Sequence, residues 1–185
     1  FNHFGTMHIL NSKNGTYFLA DTLINRHPDT ETIIDVARLA EHAVKFFNRE
    51  PVMAMLSYSN FGSDKNGSPA SVHAAVDYLH KNYPDMVVDG EIQVNFAMNR
   101  ELRDRKYPFT RLFGKDVNTL VFPNLRSANA TYQMLQAMSA DDMEIIGPLQ
   151  MGLNKPIHFT DFESSVRDIV NITAVAVIDA IVAKK

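Results

Sequence analysis

Val52-Met53-Ala54-Met55-Leu56-Ser57-Tyr58-Ser59-Asn60-Phe61-Gly62-Ser63-Asp64-Lys65-Asn66-Gly67-Ser68-Pro69 is the stretch that decides the fold. Five consecutive apolar residues make a strand covered on both faces, as in a parallel sheet flanked by helices. A loop of Ser, Gly and Asn follows, and Ser68-Pro69 reads as an N-cap with proline at the first helical position. Val72, Ala75, Val76 and Leu79 continue at helical spacing, which completes a strand-loop-helix unit. The unit recurs. Met86-Val87-Val88 precedes a helix expected from about Phe96 to Arg105, and Thr119-Leu120-Val121-Phe122 precedes one from Ser127 to Met138. Alternating strands and helices give an α/β fold of three layers, α/β/α, around a largely parallel sheet.

Before this region, Met7-His8-Ile9-Leu10 and Thr16-Tyr17-Phe18-Leu19 flank the Asn14-Gly15 pair, so a β-hairpin opens the fold. Ile33, Ala37, Ala40, Val44 and Phe47 form one helical stripe, with Asp29 or Thr30 available to cap it. Ile145 to Leu149 is the last candidate strand. From Val166 to Val182 apolar residues occupy nearly every face of a helix, which calls for cover on several sides by another domain or subunit.

Composition narrows the function classes. The chain has 185 residues, 45% hydrophobic and 21% charged, enough for one good core and a small appendage. Eighteen basic against 21 acidic residues give a formal charge of -3 without a basic block, so neither nucleic acid nor an anionic membrane surface is an expected partner. The absence of cysteine removes disulfides, thiolate metal sites and cysteine nucleophiles together. No apolar run reaches the length that spans a bilayer, and Phe1-Asn2-His3-Phe4 lacks the pattern of a signal peptide, so a cytoplasmic location is expected. The seven histidines form no i, i+4 pair, and no metal site is expected.

The candidate site residues gather where strands end. Ser57, Ser59, Asn60, Gly62 and Ser63 lie in the loop after a buried strand, the edge at which open α/β sheets bind ligands. Hydroxyls, glycine-exposed amides and a helix start suit an anion such as phosphate, although an ordinary polar connection reads the same way. Gly62 and Gly67 have the Walker spacing, but Ser68 stands where lysine is required, and there is no Gly-x-Gly-x-x-Gly. Asp89 and Glu91 could act as an acid/base pair or hold magnesium; carboxylates so placed more often cap a helix or stay solvated. Asn95 lies beyond them. Pro123 to Asn129 contributes Asn124, Arg126 and Asn129 to the same edge. Asp161 and Asp168 come just before and within the last helix, and Asp168 stands at the capping-box position for Ser165.

Five ordered motifs give the sequence a likeness: Met53-Ala54-Met55-Leu56-Ser57-Tyr58-Ser59 with Gly62-Ser63; Val88-Asp89-Gly90-Glu91-Ile92-Gln93; Val121-Phe122-Pro123-Asn124-Leu125; Gly147-Pro148-Leu149-Gln150-Met151-Gly152; and Lys155-Pro156-Ile157. Over about residues 15 to 182 the chain resembles the phosphate acetyl/butyryltransferase family, which moves an acyl group between coenzyme A and phosphate. The resemblance implies the isocitrate/isopropylmalate dehydrogenase-like fold of the phosphotransacetylases, with two subdomains and a cleft between them. Residues 7-150 would be the second subdomain, and 151-185 a segment and helix returning to a first subdomain that precedes Phe1.

Within the family, Ser57 to Ser63, Gly15 to Thr22, Lys155 to His158 and Ser165 to Asn171 are most similar to the C-terminal phosphotransacetylase-like domain of bacterial NADP-dependent malic enzymes. That branch implies a regulatory domain that binds acetyl-CoA or CoA, has the rest of a malic enzyme chain as its partner and belongs to a homo-oligomer. NADP and a divalent metal would belong to the N-terminal part of such an enzyme and not to this fragment. The departures agree. The resemblance puts a Leu-Ser-Arg-Gly segment after Lys-Pro in active acyltransferases, and Asp161 and Phe162 stand at the corresponding positions. Asn95 and Asn124 replace the family's aspartates. Asp168 matches its proposed base and is the one residual catalytic candidate. An acyltransferase with a rearranged site, and a purely oligomerising domain, are the alternatives.

Overall fold

The computed structural model of the chain describes residues 1-138 and 143-182. The described residues build a six-stranded mixed sheet between two layers of helices. A hairpin of β1 (Gly5–Ser12) and β2 (Gly15–Ala20) opens it, in register from Ser12 opposite Gly15 to Met7 opposite Ala20. Gly15 takes the turn with φ of +135°, where a side chain would be strained. β3 (Met53–Leu56), β4 (Val88–Ile92), β5 (Thr119–Val121) and β6 (Met143–Met151) complete the sheet in the order β4-β3-β5-β2-β1-β6. The pairs β4/β3, β3/β5 and β5/β2 are parallel, whereas β1 runs antiparallel to both neighbours. The expected α/β architecture and hairpin are present, with one reversed strand in a mostly parallel sheet.

One face is covered by α1 (Thr30–Phe46) and α2 (Gly67–Asn82), whose Ile33, Val36, Ala40, Val44, Val72, Val76 and Leu79 pack with Met7, Phe18, Met53 and Met55. The other face meets α3 (Val94–Met98) and α5 (Leu125–Met138) through Ala97 and Ala128, with Leu112 and Leu120 between them. Asp29 caps α1, its carboxylate accepting from the Thr32 amide at 2.8 Å. α6 (Val166–Val182) lies beside β6, burying Ile172 and touching the core with Val175. Val170, Val177, Ile178 and Ile181 stay exposed, so its apolar character on all sides is unmatched by cover. Of the expected C-terminal unit 151-185, residues 183-185 lie outside the described residues.

Four local expectations are corrected. Helix α2 begins at Gly67 after an extended Asn66, so Ser68 is not its N-cap; Pro69 still sits in the first turn, where no intrahelical N–H is needed. The single helix expected over 96-105 is two short ones, α3 and α4 (Arg100–Lys106). Asn99 interrupts them in extended conformation, and its side chain accepts from the Leu102 amide at 3.0 Å. Asn favours such a cap over a helix interior because its short amide competes for the backbone. Helix α5 starts at Leu125 rather than Ser127. Strand β4 runs from Val88 to Ile92, so Asp89 and Glu91, expected at the end of a strand over Met86 to Val88, are themselves strand residues.

Candidate functional site

The C-terminal ends of β2, β3, β4 and β5 share one sheet edge, and the loops leaving it carry most of the sequence candidates. Ser57 to Asn66 leave β3, Gln93 and Asn95 leave β4, and Asn124 follows β5. Neighbouring loops are tied backbone to backbone: Ser57 donates to Ile92 O at 3.0 Å, Phe61 to Glu91 O at 2.7 Å, and Leu125 to Asn25 O at 2.9 Å.

Buried carboxylates add further ties. Glu91, fully buried, accepts from the Ser59 hydroxyl at 2.9 Å and the Gly62 amide at 2.8 Å through one oxygen, and pairs with His73 Nδ1 at 3.0 Å through the other. Asp89 accepts from the Thr110 hydroxyl at 2.6 Å and the Arg111 amide at 2.7 Å. Neither is a solvated or helix-capping group, as the sequence suggested; each pins a distant loop to β4. The reason is burial, because a carboxylate shut away from water needs several donors. Asp21 does the same after β2, accepting from the Thr6 amide at 2.8 Å, the Thr6 hydroxyl at 2.6 Å and the Asn25 amide at 2.7 Å.

Among the named candidates, the structure forms three groups. Ser57 and Ser59 face each other at 3.3 Å. Asn60 is clasped to Gln93 by two bonds, donating to Gln93 Oε1 at 2.7 Å and accepting from its amide at 2.8 Å, while the Ser63 hydroxyl accepts from the Asn60 amide at 3.0 Å. Asn95 is exposed beside this group on α3. Asn124 caps α5, accepting from the Ser127 amide at 3.0 Å, and shares a cavity of about 10 Å³ with Asp21 and Asn25. Asn129 lies one turn further along α5.

Asp161 and Asp168 form the third group, close enough to Tyr132 of α5 to help burial raise its phenol above the usual value. Asp168 is held in the capping box read from the sequence. Its Oδ2 accepts from the Ser165 amide at 2.9 Å and hydroxyl at 2.7 Å, and its amide donates to Ser165 Oγ at 3.2 Å. Asp161 closes a turn with Glu163 and Ser164, and Phe162 is fully exposed. Among the described residues no group of three His, Cys, Asp or Glu side chains is placed to hold a metal ion.

Sequence reasoning missed His8. It is 1% exposed and stacks on Tyr132 at 4.0 Å between centroids. The Thr6 hydroxyl must donate to the Asp21 carboxylate, so at 3.1 Å it accepts from Thr22, whose oxygen in turn accepts from His8 Nδ1–H at 2.8 Å. This one-way chain fixes the tautomer and leaves Nε2 a buried lone pair without a partner. Protonating Nε2 would bury a charge, and burial accordingly lowers the His8 pKa to about 4. Only the alternation of polar Thr6 and His8 with apolar Met7 and Ile9 hinted at a polar row on that face.

The stability consequence has a definite sign. Above pH 6.5 His8 is neutral in folded and unfolded chains alike. As pH falls from 6.5 towards 4 the unfolded chain takes up a proton that the folded chain refuses, and stability drops. Between pH 7.5 and 5 this group should remove about 2 kcal/mol. Urea unfolding of the parent and of His8→Leu at both pH values checks it; an equal loss in the variant would reject this role.

Comparisons with known proteins complete the description. The family described as "Phosphate acetyl/butaryl transferase" matches residues 1-177. The chain is 35% identical over 176 residues to the NADP-dependent malic enzyme of Salmonella typhimurium, covering 95% of this chain and 23% of that protein. It is 36% identical over 169 residues to the phosphate acetyltransferase of Clostridium acetobutylicum, covering 91% of this chain and 50% of that one. Among solved structures, the phosphotransacetylase from Streptococcus pyogenes superposes with a TM-score of 0.86 at 31% identity, over 99% of this chain and 54% of the other. EutD phosphotransacetylase from Staphylococcus aureus gives the same TM-score at 26% identity, over 98% and 55%. The chain thus spans about half the length of these transacetylases and about a quarter of the malic enzyme.

Proposed function

Because the chain belongs to the phosphate acetyl/butyryltransferase family, we propose that it binds an acyl-CoA ester, acetyl-CoA foremost, along the C-terminal edge of its parallel strands. It does so as the C-terminal module of an NADP-dependent malic enzyme, and it regulates malate oxidation rather than transferring the acyl group. The similarity to malic enzymes over 95% of the chain supports the first part. The observation that carries the second is the state of Asp168. Its carboxylate is spent on the Ser165 amide and hydroxyl at the start of α6, while the neighbouring Asp161 and Phe162 offer no cation or donor to a phosphate dianion.

In this reading Ser57, Ser59, Asn60, Gly62, Ser63, Asn95, Asn124, Asn129, Asp161 and Asp168 border the ligand. NADP and a divalent metal serve the part of the malic enzyme outside this chain. The exposed apolar side of α6 meets the companion subdomain or a second subunit, and the assembly works in the cytoplasm. The described residues contain no helix long and apolar enough to cross a membrane.

Inhibition requires acetyl-CoA to bind the inactive arrangement more tightly, by about 1 to 3 kcal/mol for ordinary coupling. Titrating acetyl-CoA into the full malic enzyme chain should lower malate oxidation several-fold, and activity unchanged at millimolar ligand overturns the regulatory reading. Light scattering on the same preparation should give a dimer or larger. The similarity to phosphate acetyltransferases favours a second reading, an active transferase. Formation of acetyl phosphate from acetyl-CoA and phosphate would establish it in place of the first.

A further inference from the structure

A cavity of about 300 Å³ lies between α1, the loop that leaves β6, and α6. It shares no residue with the candidate site at the strand ends. Its inner walls are apolar. Leu39, Ala43 and Phe47, each four residues apart, put one stripe of α1 and its C-cap on the cavity with Phe46 beside them, while β6 supplies Leu149 and α6 supplies Val175. Two groups of opposite charge line the same cavity: Lys155 in the loop after β6, and Asp179 one turn beyond Val175 on α6. Among the described residues neither has a hydrogen-bond or ion-pair partner. The exposed His42 adds a further polar group at the rim.

The fold itself sets these walls in place. Gly152 turns the chain after β6 with φ of +90°, and a Cβ there would stand 2.9 Å from His3 O and 3.0 Å from Leu39 Cδ1, so only glycine lets this loop lie so close to α1. The strap before β1 is clasped to α1 by Asp35, which accepts from the Asn2 amide at 3.0 Å and the His3 amide at 3.2 Å and pairs with His3 Nδ1 at 3.0 Å. Phe1 is thereby left on the cavity, with the Arg38 guanidinium 4.7 Å from its ring centre. On the α6 side the Gln150 amide donates to His158 Nδ1 at 3.0 Å. A ring that accepts this bond is neutral, and burial lowers the His158 pKa against the pull of Asp179. Asp179 thus gains no counter-charge from its histidine neighbour.

We propose that this cavity binds a free amino acid with an apolar side chain: Lys155 meets its carboxylate, Asp179 its ammonium, and the side chain lies among Phe46, Phe47 and Leu149. The charges select the class. A fatty acid leaves Asp179 unanswered, an alkylamine leaves Lys155 unanswered, and a zwitterion answers both. The volume is at the small end of ligand cavities, which suits a molecule of leucine's size and is far too little for coenzyme A. The site is therefore separate from the acyl-CoA reading and does not depend on it.

Calorimetry on the full chain tests it with L-leucine, 4-methylpentanoate and 3-methylbutylamine, which share one side chain while the second lacks the ammonium and the third the carboxylate. Leucine should bind, and each analogue should bind about tenfold more weakly, the usual effect of losing one charge-assisted hydrogen bond. Asp179→Asn should weaken leucine by about the same factor and leave 4-methylpentanoate unchanged; Lys155→Met should weaken leucine likewise and leave 3-methylbutylamine unchanged. Lys155 is exposed and Asp179 half-buried, and an unchanged unfolding curve excludes misfolding as the cause. Should a variant unfold, the parent's ranking of the three probes still decides. No binding of leucine at millimolar concentration overturns the proposal, and so does a cavity filled in the full chain by another part of the protein. Leucine bound equally by parent and both variants overturns it by placing the amino acid elsewhere. 4-Methylpentanoate bound as tightly as leucine overturns the zwitterion and leaves a carboxylate site.

Discussion

Arg103→Ala should remove about 4 kcal/mol or more of unfolding free energy, a large part of what a domain of this size has. The guanidinium is fully buried, donates to Ala97 O at 3.0 Å, Leu112 O at 2.9 Å and Lys115 O, and pairs with Asp104 at 3.3 Å. Ala97 lies at the end of the short α3, and Leu112 and Lys115 lie in the irregular stretch between α4 and β5, so the guanidinium ties that stretch to the helical pair. Deleting the side chain leaves acceptors buried and opens a cavity as well, each contributing of the order of a few kcal/mol. Arg103→Lys keeps the charge but loses the planar fork that reaches three carbonyls at once, and should cost about half as much. The midpoint of urea unfolding measures both. A loss under about 1 kcal/mol in the alanine variant would mean that water replaces the guanidinium at no penalty, against the burial described.

Glu91→Ala comes next, with an expected loss of about 3 to 5 kcal/mol. Three donors depend on this one carboxylate: the Ser59 hydroxyl, the Gly62 amide and His73. With it gone the β3 loop loses its tether to β4, and the half-buried Gly62 amide loses its acceptor. Glu91→Gln retains the shape and one acceptor oxygen, so it should fold with a smaller loss, about 2 kcal/mol, and with the loop loosened. Amide hydrogen exchange at Gly62 separates the two effects. Faster exchange at Gly62 than in the core of β3 is expected for the glutamine variant; unchanged protection would show that the loop is held by its backbone alone.

Much of the architecture was legible because long elements announce themselves. The continuous Met53 to Leu56 run, the stripe on α1 and the Asn14-Gly15 turn each follow from local rules that packing did not override. The Ser165 and Asp168 box was legible for the same reason, since both partners lie within one turn. What escaped depends on residues far apart in sequence. Nothing local in Asp89-Gly90-Glu91 tells that Thr110 or Ser59 will reach these carboxylates, so the ordinary expectation of solvated acids failed. His8 was illegible in the same way: its role exists only once β2 brings Asp21 and Thr22 alongside and α5 lays Tyr132 over the ring. The break at Asn99 was missed because both halves of the stretch have helix-forming composition and only the cap separates them.

The reversed strand β1 sets an order of events for a chain growing from its N-terminus. β2 is made moments after β1, and one side of β1 is paired at once. Its other side waits for β6, whose residues come more than a hundred positions later. From the making of β2 until β6 emerges, Gly5 to Ser12, most of it buried in the finished fold, is therefore an open strand edge, the kind that recruits a strand from a neighbouring molecule. The last strand added is the one that covers β1, so an interruption before Met143 would leave the other five strands in place with β1 unpaired along that side.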